Sequence, residues 1–146
     1  MSRFGQALRR LIGDKTAAAA VEFGLVGPLF LAMFLGVLQI GIGMQNYNAM
    51  RAITGDVTRH AAITYQQGTK PTDADLETYA QTLAVAPPYG LNATHLTVDA
   101  STVASTQFTG AKEITMTITY TVPTVLSFIG VGDIPLTYSR PIFVMP

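Results

Sequence analysis

Few residues in this 146-residue chain have the types and spacing that chemistry requires. His60 and His95 are its two histidines, and neither lies in a metal-ligand pattern such as H-E-x-x-H, so both are expected to be surface histidines. Asp73, Asp75 and Glu77 form an acidic triplet, but the Gly and distal Glu of a calcium loop are missing. Complementing the positive end of a helix is the expected role of these three acids. No serine occupies a nucleophile elbow, and no glycine-rich loop follows a strand to cradle phosphate. Asn92-Ala93-Thr94 fits a glycosylation sequon, a pattern frequent by chance. With no cysteine there is neither a disulfide framework nor a thiolate metal site. The expectation is a protein that is not an enzyme, with no cofactor, no metal and no small-molecule substrate.

One carboxylate remains, Glu22, and its meaning depends on the element that carries it. Composition identifies that element. The chain is 49% hydrophobic and 12% charged, about half the charge of an ordinary soluble domain. The shortfall is local: Phe23 to Met44 is 22 residues without a charge, interrupted by one strongly polar side chain, Gln39. As a helix this run spans roughly 33 Å, enough to cross the hydrocarbon core of a bilayer. A secretory signal would have a shorter apolar run followed by a small-residue cleavage site. Here the run ends in Gly41-Ile42-Gly43-Met44-Gln45-Asn46, and the small-residue tract Ala17–Ala20 precedes it, so a retained span is expected.

The net charge of zero hides a split. Residues 1–21 carry Arg3, Arg9, Arg10 and Lys15 against Asp14, whereas residues 45–146 carry five basic and seven acidic side chains. Basic residues flanking a span stay in the cytoplasm, which makes the C-terminal part the exported one. That part has no basic stripe, so nucleic acid is not an expected partner. The expected location is the bacterial inner membrane, crossed once, with the C-terminal domain periplasmic or extracellular.

Glu22 stands one residue before the apolar run, where a carboxylate costs free energy unless it is hydrated, paired or neutralised. One reading is an acid near a helix N-terminus, favoured by up to about 1 kcal/mol. A sharper reading pairs it with the α-amino group of a neighbouring subunit whose chain has been cut five residues upstream. From Glu22 alone the first is preferred. The surroundings reverse that preference: AAAAVEFGLVGPLFLAMFLGVLQIG, with Arg9-Arg10 before it, Glu22-Phe23, Pro28 and the Leu-rich stretch Leu29–Leu38, resembles the N-terminus of the TadE-like family, pseudopilins of tight-adherence (Flp-type) pilus systems. The resemblance is most specific over about residues 9–50.

The resemblance implies cutting by a prepilin peptidase on the cytoplasmic side, between Ala17 and Ala18, with Glu22 and Phe23 serving assembly. It also implies the inner membrane, other pilins or minor pseudopilins, and the pilus assembly platform as partners. The chain departs from the family in having Ala17 where Gly is usual before the cut, and Gly24 and Gly27 where Ala or Leu is commoner. Small-residue pairs permit close helix approach in lipid. Pro28 lacks an N–H, so it either kinks the helix or leaves a carbonyl unpaired. Gly36, Gly41 and Gly43 either mark a packing face or reflect the glycine content of membrane helices.

Beyond the span, Met50, Ile53, Val57, Ala61 and Tyr65 recur at helical spacing, and the helix is expected to end near Gln67-Gly68. A second helix is expected from Thr72 as N-cap, with Leu76, Tyr79, Ala80 and Leu83 on its apolar face and Pro87-Pro88 as its stop. Ile114, Met116, Ile118, Tyr120 and Val122 alternate with four threonines over residues 113–122, a half-buried strand. Leu96 and Val98 mark a shorter strand, and Leu136–Val144 a third, with Pro141 placing it at an edge or breaking it. In the apolar loop VLSFIGVGDIP, Phe128 and Ile129 either touch a partner or the membrane surface, or cap the core.

The expected fold class is therefore α+β: a long N-terminal helix, half transmembrane and half exported, a second short helix, and an antiparallel sheet of about three strands. The expected division is a leader over 1–17, a membrane helix over 18–44, and an exported pilin-like domain over 45–146. The expected function is that of a TadE-like minor pseudopilin in assembly of a tight-adherence type IV pilus, acting structurally in cell adhesion. The alternative is an unprocessed, membrane-anchored exported binding module that does not enter a filament.

Overall fold

The computed structural model describes residues 15–104 and 108–145, with side chains from Ala18 onward. Arg3, Arg9, Arg10 and Asp14 of the basic leader lie outside the described residues. The chain divides into two compact units, residues 1–38 and 39–146.

The first unit consists, where described, of the opening part of helix α1, Lys15–Gln66. The helix runs through Pro28 without interruption. Its large side chains here are solvent-facing: Phe23 is 79% exposed, and Leu25, Phe30 and Val37 are similarly uncovered. Length and composition make this helix a candidate membrane span.

The second unit begins at Gln39 and contains the rest of α1. Met50, Ile53, Val57, Ala61 and Tyr65 are all buried, the stripe that their spacing predicts. Thr54 is buried among them, with its hydroxyl donating to the carbonyl of Met50 at 2.9 Å. The helix stops where Gly68 takes φ +82, a backbone region glycine enters without a Cβ clash. Gly68 N–H then donates to Tyr65 O and Thr69 N–H to Thr64 O, closing the last turn.

Helix α2, Asp73–Val85, is capped as expected. The Thr72 hydroxyl accepts from Asp75 N–H at 3.2 Å, and the Asp75 carboxylate accepts from Thr72 N–H at 2.9 Å. Its buried face is Leu76, Ala80 and Ala84, while Tyr79 and Leu83 pack half-buried against the core.

Three strands form an antiparallel sheet in the order β1 (Leu96–Thr102), β2 (Lys112–Val122), β3 (Ile134–Val144). On β2, Ile114, Met116, Ile118 and Val122 are fully buried, and the intervening threonines stay partly exposed. Thr117 and Ser139 bond across the β2–β3 pair at 2.9 Å on that outward face. Pro141 lies opposite Thr115 on β3, an edge strand, where its missing N–H costs no ladder bond on the outer side. Both helices contribute to one core with a single face of the sheet, an α+β arrangement.

Candidate functional site

The entry to α1 carries the residues that the sequence singles out. The Ala17–Ala18 bond lies within helix α1, near the start of its described residues. Glu22 follows one turn after Ala18, so the two residues occupy the same side of the helix. Its side chain is exposed and makes no ion pair among the described residues. Phe23 projects outward, and its ring edge passes over Gly27: a Cβ there would meet the ring at 3.7 Å. A Cβ at Gly24 would meet nothing within 4 Å. Phe23, Gly24, Gly27, Pro28 and Leu31 thus line one shallow apolar notch on the helix. Such a notch can receive an apolar side chain, because dispersion and close approach, rather than water release, drive helix association in lipid.

Residues that the sequence reading did not single out tie the second unit together. Gln39, the lone polar group of the apolar run, is 2% exposed. Its Nε2 donates to the carbonyl of Pro123 at 3.1 Å, and its Oε1 accepts from Val125 N–H at 3.0 Å. The side-chain amide thus pairs with the loop after β2 as a strand backbone would. One partner only donates and the other only accepts, which fixes the amide's orientation. An amide in a run otherwise free of strong polarity is the signal that would have pointed to a buried partner.

The acidic triplet does more than complement the α2 dipole. Asp75 closes the cap, and its hydrogen bonds with Thr72 hold its carboxyl below the ordinary value of 3.8. Asp73 accepts from Thr102 N–H at 2.9 Å and from the Thr102 hydroxyl at 2.7 Å. Glu77 accepts from Ala100 N–H at 2.8 Å. Two carboxylates therefore occupy outward N–H groups of β1, an edge strand. Lys112 Nζ stands 4.0 Å from Asp73 and 3.1 Å from the Tyr65 hydroxyl.

The histidines also differ from expectation. Both are half-buried rather than free on the surface: His60 stacks on Tyr79 with centroids 4.0 Å apart, and His95 sits edge-on to Tyr120 at 6.4 Å. Each was read without its aromatic partner, which tertiary packing supplies. Asp56 accepts from the Tyr89 hydroxyl at 2.7 Å, and that bond raises the Tyr89 pKa above its ordinary 10.0. Among the described residues no group of three or more metal-ligating side chains is gathered.

Residues 17–59 match the family model of TadE-like protein. Over this segment the chain is similar to TadE-like proteins. The matched stretch covers the Ala17–Ala18 bond, Glu22, the Phe23–Gly27 notch, Gln39, and Met50, Ile53 and Val57 of the buried stripe. No curated protein and no solved structure matches the chain.

Proposed function

We propose that this protein is a minor pseudopilin that takes part in assembly of a tight-adherence type IV pilus, working by helix packing and subunit docking without catalysis. The observation that carries the reading is the TadE-like match over residues 17–59, which includes both the small-residue tract and Glu22. The chain is held in the inner membrane by α1, with its leader cytoplasmic and the unit from Gln39 onward exported. A prepilin peptidase cuts between Ala17 and Ala18, leaving Glu22 as the fifth residue of the mature chain. The exposed Glu22 carboxylate then accepts the α-amino group of a neighbouring pilin or pseudopilin, an ion pair strengthened by the low dielectric at the membrane boundary. The Phe23–Pro28 notch receives an apolar side chain of that neighbour, and the exported unit docks on other minor subunits or on the assembly platform.

Intact mass measurement of the protein purified from membranes of cells with active peptidase tests the processing step. A chain beginning at Ala18 is expected; a chain that keeps Met1 removes it. Glu22→Ala tests the assembly step separately. It is expected to leave the protein membrane-bound and to abolish piliation. Unchanged piliation and attachment would favour the unprocessed, membrane-anchored binding module.

A further inference from the structure

The loop between β2 and β3 has an unusual surface. Val125, Phe128, Ile129 and Val131 are 42, 66, 52 and 38% exposed, and Leu126 alone of its large apolar residues turns into the core. Between Glu113 and Arg140 the only charged residue is Asp133. That carboxylate is engaged by the loop itself, accepting from Thr124 N–H at 2.9 Å.

The loop's backbone is also unusually self-sufficient. Val125 N–H goes to Gln39, and Leu126 N–H goes to the Thr124 hydroxyl at 3.0 Å. Ile129, Gly130 and Val131 donate to carbonyls of Leu126 and Ser127 within a single 3-10 turn, Ser127–Ile129. Gly130 closes that turn at φ +83. Paired N–H groups lower the cost of leaving water, which is the main obstacle to placing a loop against lipid.

Gln39 decides where along α1 this loop lies. Its amide holds Pro123 and Val125 directly, so the loop is level with residue 39 of the helix. On the same unit, Ile40 and Met44 are 64 and 62% exposed, and past Tyr47 the helix shows no further large exposed apolar residue until Ile63. The exposed apolar surface of the helix thus extends to Met44, beyond the level at which the loop is attached.

We infer that the loop from Val125 to Val131 is a second, shallow membrane contact, with Phe128 and Ile129 seated at the headgroup–acyl boundary of the exported face. The occupant is lipid rather than a protein partner, because the loop is attached at Gln39 and shares a band of exposed apolar side chains with Ile40 and Met44 of the same unit. Full immersion is excluded by the irregular backbone, so the seating is interfacial. The inference rests on the reading of α1 as a membrane span.

Single-cysteine variants test it, since the native chain has no cysteine to interfere. The full chain carrying Ile129→Cys, Phe128→Cys, Leu31→Cys or Thr69→Cys is labelled with a polarity-sensitive fluorophore. Each is reconstituted into vesicles of phosphatidylethanolamine and phosphatidylglycerol containing nitroxide lipids labelled near the headgroup or deep in the acyl chain. All four positions are exposed, so the substitutions leave the core intact. Leu31 is expected to be quenched most by the deep nitroxide and Thr69 by neither. Labels at 128 and 129 are expected to be quenched by the shallow nitroxide at least about twofold more than the Thr69 label, with emission shifted to shorter wavelength. Labels at 128 and 129 that behave like Thr69 while Leu31 is quenched overturn the loop contact and leave the span standing. Labels shielded from an aqueous quencher but untouched by either nitroxide show that the loop is covered by protein, this chain or a second copy of it, and also overturn it. A Leu31 label beyond reach of both nitroxides removes the span and the loop contact together.

Discussion

The side-chain amide of Gln39 accepts from the backbone N–H of Val125 at 3.0 Å across 86 positions of sequence. One residue of the apolar run thereby becomes part of the buried interior of the second unit, and the loop after β2 acquires a fixed attachment to α1.

Replacing Gln39 by Leu leaves Val125 N–H and Pro123 O without that partner. The expected loss is about 1–3 kcal/mol, the cost of stranding buried polar groups. Thermal unfolding of the full chain in detergent, followed by circular dichroism, measures it. A variant as stable as the parent would show that water replaces the amide.

Ala17→Gly restores the residue that the TadE-like resemblance implies before the cut. The expected result is a larger share of processed chain in a pulse-chase with intact-mass readout. Ala17→Leu is expected to accumulate the unprocessed form, because a side chain larger than a methyl group must enter the same peptidase pocket.

Asp75 links α2 to acidity. Its bonds with Thr72 lower its carboxyl pKa in the folded protein, so the folded state binds its proton less readily than the unfolded state does. The stabilisation is fully present above the unfolded value, near 3.8, and is lost as pH falls through the lower folded value. Asp75→Asn is expected to flatten this acid limb of the stability profile, read by urea unfolding at successive pH values.

Asp73→Ala and Glu77→Ala remove the carboxylates that occupy Thr102 and Ala100 N–H. Amide hydrogen exchange at those two residues is expected to accelerate, while Ile118, fully buried at the centre of β2, keeps its protection. Equal acceleration at all three would indicate global destabilisation in place of a local clasp on β1.

The periodic parts of this fold are legible in the sequence. The stripe from Met50 to Tyr65 and the alternation from Ile114 to Val122 each repeat one local geometry several times, and the Thr72–Asp75 cap is complete within four residues. What the sequence does not display are pairings made once, between distant elements. Gln39 reads as a blemish in a span until Pro123 and Val125 are placed beside it. Asp73 and Glu77 read as dipole partners because their β1 acceptance depends on how α2 lies against the sheet. His60 needs Tyr79, and Ala84 joins Leu83 against the core through packing that period alone does not resolve. At the helix entry, Glu22 was legible as a position, and its exposure leaves it open to a partner from another chain.

The burial of Gln39 also makes the second unit a gauge of its own helix. Completing its core requires a set register of α1, from Gln39 through Tyr65, and so commits a fixed count of residues to the folded side. A residue inserted before Gln39 leaves that register intact, whereas a residue inserted after it sets the Gln39 clasp against the Met50 stripe. The folded unit works as a ruler on its own stretch of helix, holding each residue from Gln39 to Tyr65 to one place against the core.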